Sequence, residues 1–237
     1  MLVQHFGWQA ALRTMGLLVV AIALPAPFFA KDAPQSKENR AASDLAKSRD
    51  AFLAMPFFLL TLGSMFFIAA VSGTQQNLKL FLSLDLHFTQ SQATSLLSLV
   101  LGFSIVGRLL MGWLADYFPK KLVMLLIYLL VGAAIPLLLV RHSQAAMYTF
   151  AAVFGIGLGG DYMIVPLMTA EIFGIQVLGR LLGVILTAGS VAEALSPWLV
   201  GRLRDTTGSY GGFLALMGMA AVSAVGVAAL PKGRKPA

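Results

Sequence analysis

Long apolar runs separated by short polar breaks dominate this sequence. An α-helix rises about 1.5 Å per residue, so about 20 apolar residues cross the roughly 30 Å hydrocarbon core of a bilayer. The pattern therefore predicts an all-α membrane protein with about seven transmembrane helices. We call the runs spans a to g, and they occupy residues 11–30, 51–76, 92–115, 121–141, 145–170, 179–203 and 211–230.

A long polar segment, residues 31–50, separates spans a and b and has the mixed charge of a solvated linker. Cytoplasmic loops carry an excess of lysine and arginine. Most of the basic groups fall on the linker's side of the predicted membrane, although Arg202 and Arg204 fall on the other side, beside Asp205. We therefore expect the linker and the C-terminus to be cytoplasmic, in a plasma-membrane protein. The supporting groups are Lys120 with Lys121, Arg180, and the tail residues Lys232, Arg234 and Lys235.

The composition agrees with a membrane protein, since 58% of the residues are hydrophobic and 11% are charged, against about 25% charged in soluble domains. The net charge of +7 lies mainly in loops, where it sets topology, so we expect no nucleic-acid partner. Cysteine is absent, and no histidine or carboxylate cluster has metal-ligand spacing. We expect no cofactor and no metal. A secretory signal peptide is a poor interpretation of span a, because no Ala-x-Ala site precedes Lys31.

Polar residues are distributed unevenly among the spans. Spans a, d and g are almost wholly apolar, whereas span b ends in a polar stretch that includes Gln76. Span c carries Arg108, span e carries Asp161 and span f carries Glu193. Ionisable groups inside a membrane face the bundle interior or a water-filled path. We expect spans a, d and g to lie outermost, and spans b, c, e and f to present these residues to one concave face.

One motif links spans c and d: GRLLMGWLADYFPKK, residues 107–121, in which Gly112-x-x-x-Asp116 is followed by Lys120 and Lys121. It resembles the gating-loop signature of the major facilitator superfamily of secondary carriers. That family usually has Arg or Lys in place of Tyr117. Further stretches resemble helices 10 and 11 of the monocarboxylate and oxalate/formate branch, namely FGIGLGG at 154–160, LGRLLG at 178–183, and Ser196-Pro197.

The resemblance implies a domain organisation. In the family, helices 3, 6, 9 and 12 lie outside, which assigns spans a to g to helices 6 to 12. Residues 5–16 also resemble residues 207–218, and this offset fits the repeat of a six-helix half. We expect residues 1–30 to be the last helix of an N-terminal half whose helices 1 to 5 are missing. Residues 31–50 would be a cytoplasmic linker, and residues 51–237 a C-terminal six-helix half.

The resemblance also implies secondary transport of a small organic anion, such as a mono- or dicarboxylate, by H⁺ symport or anion exchange. Arg108 matches an arginine on helix 8 of monocarboxylate carriers, and a guanidinium fork fits a carboxylate. An alternative is that Arg108 only reaches to the interface. Gln76 and Tyr162 are further candidate substrate contacts. Asp161 and Glu193 are candidates either to carry a proton or to pair with Arg108.

Other functions remain as alternatives. A half-size membrane module could pair with a separate partner. A seven-helix receptor is another possibility, although span g lacks the lysine that a retinal protein needs in its last helix. An intramembrane enzyme is disfavoured, because no Gly-x-Ser-x-Gly, His-Glu-x-x-His or paired-aspartate motif lies within a span. We therefore expect a carrier and not an enzyme, with the lipid bilayer and an organic anion as its partners.

Overall fold

The computed structural model describes residues 48–140, 143–208 and 211–231, together with positions 9, 10, 13, 14, 16–18, 20, 21 and 25. The chain divides into two compact units, Met1–Ser43 and Asp44–Ala237. In the first unit the described positions up to 21 are helical, and the Thr14 hydroxyl donates to the Ala10 carbonyl at 2.8 Å. Most of span a, linker residues 31–47 and the basic tail 232–237 lie outside the described residues, so their assignments stay predictions.

The second unit is built from helices throughout its described residues. A helical stretch at 48–53 comes first. The main helices are α1 (Met55–Leu84), α2 (Gln90–Tyr117), α3 (Lys120–Ala134) with a 3₁₀ extension (Ile135–Leu139), α4 (Gln144–Phe173), α5 (Leu178–Thr207) and α6 (Gly212–Ala228). The first five, with the extension of α3 included, are long and apolar enough to cross a membrane, and α6 is shorter. The all-α membrane class is therefore confirmed.

The boundary after span b differs from the sequence pattern. Helix α1 continues to Leu84, well past the predicted end near residue 76, because Leu78, Phe81 and Leu82 are buried in the core. Helix α2 then starts with a capping box, in which the Thr89 hydroxyl accepts from the Gln92 amide and the Gln92 side chain accepts from the Thr89 amide. Such reciprocal bonds satisfy donors that a helix start would otherwise leave free.

Packing follows a simple neighbour pattern. Helix α1 packs against α5 and α6, α2 packs against α4, and α3 packs against both α4 and α6. Helix α3 buries one stripe and exposes an apolar outer face that includes Leu122, Leu126 and Leu129. Helices α2 and α5 bury even less of their length, because each packs mainly against one neighbour. The apolar pattern predicts that span d lies outermost. Only one face of α3 is exposed in this way, and its other face is buried against α4 and α6.

Glycines allow α2 and α4 to approach closely. A Cβ at Gly107 of α2 would collide with the backbone of Ile156, and a Cβ at Gly159 of α4 would collide with the backbone of Ser104. Small residues at such positions let two helix backbones come together, which is a main source of helix association in membranes. This contact fixes Arg108 on α2 relative to Asp161 and Tyr162 on α4.

Candidate functional site

A cavity of about 440 Å³ lies between α1, α4 and α5. Cavities of roughly 300–1,000 Å³ with apolar walls and a few polar groups are typical of small-molecule sites. Apolar side chains from all three helices, such as Phe67, Leu158 and Ile185, form much of its wall. Its polar lining residues are Ser64, Ser72, Gln75, Gln76, Asp161, Tyr162, Ser190 and Glu193.

The cavity brings together four of the five predicted substrate or proton residues. Gln76 lies on α1, Asp161 and Tyr162 on α4, and Glu193 on α5, and all four line the cavity. The two charged residues among the lining are both acidic. The cavity wall therefore has an excess of negative charge whenever both carboxyls are ionised.

Arg108 lies beside the cavity and does not line it. Its guanidinium carbon is 5.0 Å from the centre of the Tyr162 ring, which is a cation–π geometry. Across the described part of the chain, no ion pair joins Arg108 to Asp161 or Glu193. Within the described residues, Arg108 therefore contacts the Tyr162 ring and forms no ion pair with an acid of the cavity.

A proline shapes the α1–α5 wall. Pro197 has no amide hydrogen, so the carbonyl of Glu193, four residues earlier, lacks its helical donor. The Ser72 hydroxyl of α1 supplies one at 2.9 Å. Gln76 in turn donates to the Ser72 oxygen at 3.2 Å, and the Asn77 side chain donates to the Pro197 carbonyl at 3.3 Å. Polar groups of α1 therefore hold α5 at the depth where Glu193 enters the cavity.

Behind the cavity wall, beside the lining residue Asp161, lies a polar residue that the apolar pattern of span d conceals, namely Tyr128 of α3. Oδ1 of Asp161 is buried and has no hydrogen-bond partner in the described residues, and the same holds for the hydroxyl oxygen of Tyr128 on α3. The Tyr128 hydroxyl faces both the Asp161 carboxyl and the Ser64 hydroxyl. Tyrosine is counted among the hydrophobic residues, so the only sequence signal is a single hydroxyl in an otherwise apolar span.

The loop residues Gly112, Asp116, Lys120 and Lys121 do not line the cavity. Lys120 pairs with Glu171 at the end of α4, with 3.1 Å between Nζ and Oε2. Lys121 donates to the carbonyls of Ala228, at 2.8 Å, and Leu230, both at the end of α6.

The other two predicted loop residues, Gly112 and Asp116 on α2, differ from the lysines in their surroundings. A Cβ at Gly112 would meet the Met163 side chain of α4 at 3.0 Å, and Asp116 is exposed. The lysines therefore tie the start of α3 to the ends of α4 and α6, and a gating role for the motif stays a prediction. On the described residues, no group of three or more histidines and carboxylates could hold a metal ion.

Known proteins resemble this chain over most of its length. The sequence model of the Major Facilitator Superfamily matches residues 60–237. Monocarboxylate transporter 12-B of Danio rerio is 28% identical over 260 residues, which cover 94% of this chain and 54% of that protein. Monocarboxylate transporter 12 of Rattus norvegicus is 30% identical over 258 residues, with 94% and 53% covered. The chain thus spans about half the length of these curated relatives.

A solved structure shows the same fold. The crystal structure of a D-xylose-proton symporter matches with a TM-score of 0.58 and 19% sequence identity, over 76% of this chain and 48% of that one. At this identity the match establishes the architecture alone. An Uncharacterized MFS-type transporter, YcxA of Bacillus subtilis, is 27% identical and covers 87% of this chain and 52% of its own length.

Proposed function

The chain belongs to the major facilitator superfamily of membrane transporters, and from that premise we propose that it carries a small organic anion, such as a mono- or dicarboxylate, with H⁺. The names of the monocarboxylate transporter relatives support the substrate class. The observation that carries the proposal is the position of Arg108, over the Tyr162 ring at the edge of a cavity of about 440 Å³.

Arg108 is the anion-binding group of this proposal. A cation–π contact stabilises by about 0.5–2 kcal/mol, whereas a bidentate guanidinium–carboxylate pair adds two charge-assisted hydrogen bonds. A substrate carboxylate can therefore draw the guanidinium off the Tyr162 ring and toward the cavity. Gln76 and Tyr162, which both line the cavity, are positioned to bind the substrate's remaining polar atoms.

The acidic lining favours H⁺ symport over anion exchange. Ionised carboxylates at Asp161 and Glu193 repel an anion that enters the same cavity, and a proton on either one weakens this repulsion. Anion and proton therefore assist each other's binding, and such a coupling is reciprocal between the two ligands. Uptake should rise as the external pH falls.

The complete transport unit is proposed to include a first half. Carriers of this type bind substrate between two repeats that rock against each other, and the relatives are about twice as long as this chain. The sparsely packed faces of α2 and α5 offer room for such a half. A half-size module that recruits a separate partner is the second candidate. In both cases we propose a plasma-membrane location with the 31–50 linker and the C-terminus in the cytoplasm.

The test is uptake of radiolabelled small carboxylates by cells that express the chain, alone or fused behind the part of the Danio rerio relative that precedes its matching stretch. We expect saturable uptake with the fusion only. Arg108→Ala should abolish it, and Arg108→Lys should restore it in part, because an ammonium keeps the charge but not the fork. Arg202→Ala, an exposed arginine on α5, is the matched control.

Two outcomes would contradict this proposal. Wild-type uptake kinetics in Arg108→Ala would remove the anion site, provided that the variant reaches the membrane in normal amounts. Saturable uptake by the chain alone would remove the requirement for a first half.

A further inference from the structure

Tyr128 lies on the buried face of α3. Its side chain is fully buried, and its ring stacks on Phe67 of α1 with centroids 4.0 Å apart and planes 10° from parallel. This stacking sends the hydroxyl from α3 through the core toward the cavity wall. A buried hydroxyl without a hydrogen bond is costly, so its placement beside a carboxyl calls for a functional explanation.

The Tyr128 hydroxyl has two polar neighbours, one a carboxyl and the other a hydroxyl. Helices α3 and α4 are in direct contact at this level, since a Cβ at Gly160 would lie 2.8 Å from the Ile127 side chain. The Tyr128 hydroxyl therefore lies near the Asp161 carboxyl of α4, and it also lies near the Ser64 hydroxyl of α1. The Ser64 hydroxyl donates its hydrogen to the Leu60 carbonyl at 2.6 Å, so toward Tyr128 it can act only as an acceptor. Three side chains from three helices therefore form a buried polar chain, in which Asp161 and Ser64 also line the cavity.

We propose that Tyr128 is the positioning residue for a transported proton on Asp161, and that its hydroxyl turns as the proton binds. This rests on the H⁺ coupling of the proposed function. When Asp161 is ionised, the Tyr128 O–H donates to the carboxylate. When a proton from the cavity converts the carboxylate to a carboxylic acid, the acid O–H donates to the Tyr128 oxygen, and the Tyr128 O–H donates to Ser64.

The other charged groups near Asp161 stand on the cavity side. Arg108 of α2 lies over Tyr162, the next residue along α4, and Glu193 of α5 lines the cavity. Helix α1 presents only uncharged polar groups there: Ser64, Ser72, Gln75 and Gln76. Within the described chain, Tyr128 is therefore the titratable group that faces Asp161 from the core. This buried neighbour is the reason why the proposal places the proton on Asp161.

The two hydrogen-bonded states make opposite predictions for two variants. Tyr128→Phe keeps the ring stack but removes the donor to the ionised carboxylate, and a bond to a charged group is stronger than one to a neutral group. The proton should therefore be retained to a pH higher by about half to one unit. Ser64→Ala removes the acceptor that serves only the protonated state. In Ser64→Ala the titration midpoint of the Asp161 carboxyl should therefore move the opposite way, toward lower pH.

The measurement is infrared spectroscopy of the chain reconstituted in lipid vesicles, which follows the protonated carboxyl C=O band as a function of pH. Asp161→Asn identifies the Asp161 band by its loss. Tyr148→Phe, an exposed tyrosine on α4, is the matched control and should leave the band and its midpoint unchanged. Circular dichroism checks that each variant keeps its helix content.

Opposite shifts in Tyr128→Phe and Ser64→Ala would support the proposal. Wild-type midpoints in both variants, with normal helix content, would overturn it and leave the anion site untouched. If Tyr128→Phe does not fold, a wild-type midpoint in Ser64→Ala alone overturns it. Loss of uptake in the fusion carrier, with both infrared shifts present, would instead overturn the transport proposal and keep the role of Tyr128.

Discussion

The bond from Ser72 to the Glu193 carbonyl allows a quantitative test of how α1 holds α5. Ser72 is buried, and its hydroxyl donates to that carbonyl at 2.9 Å. Because Pro197 cannot donate, Ser72→Ala leaves the carbonyl without any donor. The bond is partly buried, so its loss should cost no more than the roughly 1–3 kcal/mol of a fully buried unsatisfied group, and side-chain hydrogen bonds in membrane proteins average about 0.6 kcal/mol. We expect a loss of about 1 kcal/mol in the free energy of unfolding.

A double-mutant cycle separates this cause from a general packing defect. Pro197→Ala restores an amide hydrogen at position 197, which can donate to the Glu193 carbonyl within α5. In that background Ser72→Ala should cost only a few tenths of a kcal/mol, because the carbonyl keeps a partner. The coupling energy between the two positions should therefore be most of the single-variant effect.

The assay is reversible unfolding in mixed micelles with increasing SDS, followed by circular dichroism. Gln76→Ala is a control, because Ser72→Ala also removes the acceptor of the Gln76 amide. Gln76 is exposed, so its amide can turn to water and the control should be nearly neutral. An equal cost of Ser72→Ala with proline or alanine at position 197 would refute the reasoning.

Two further predictions follow from the helix contact and the cavity. Gly159→Ala places a Cβ against the Ser104 backbone and should lower the free energy of unfolding by about 1–3 kcal/mol or more. The control Gly102→Ala, whose Cβ meets nothing within 4 Å, should be neutral in the same assay. Equal effects of the two variants would contradict the close approach of α2 and α4. In the fusion carrier, Asp161→Asn should abolish the rise of uptake at low external pH and Glu193→Gln should retain it, and the reverse result would move the proton to Glu193.

The sequence predicts the membrane class and much of the cavity for a clear physical reason. Polar and ionisable groups are costly against lipid, so those found inside apolar spans must face inward. That rule places Gln76, Asp161 and Glu193 correctly at the lining of one cavity, which also includes Tyr162, the next residue after Asp161. It does not decide whether Arg108 pairs with an acid, because the choice between a carboxylate and the Tyr162 ring depends on how α2 and α4 are rotated against each other.

The polar run at residues 72–77 shows where hydropathy fails. A run that includes Gln75, Gln76 and Asn77 is typical of the end of a span, yet it lies well inside α1 (Met55–Leu84). The bundle binds two of these groups internally, since Asn77 donates to the carbonyls of Gly73 and Pro197 and Gln76 donates to the Ser72 oxygen. A polar stretch can mark the wall of a cavity as well as the edge of a membrane, and only the neighbouring helix decides between the two.

Two prolines allow helices α4 and α5 to bend next to the cavity. Pro166 of α4 and Pro197 of α5 each deprive a carbonyl four residues earlier of its helical donor, namely those of Tyr162 and Glu193, and a donor from another helix, Ser72 of α1, takes the place of the missing one at Glu193. Both of these residues line the cavity, so the two helices are weakened where the substrate is proposed to bind. Helices bend most readily at such positions. A bound anion and proton would then act directly on the points where α4 and α5 can bend. A carrier that alternates between two states needs helices that bend near its substrate.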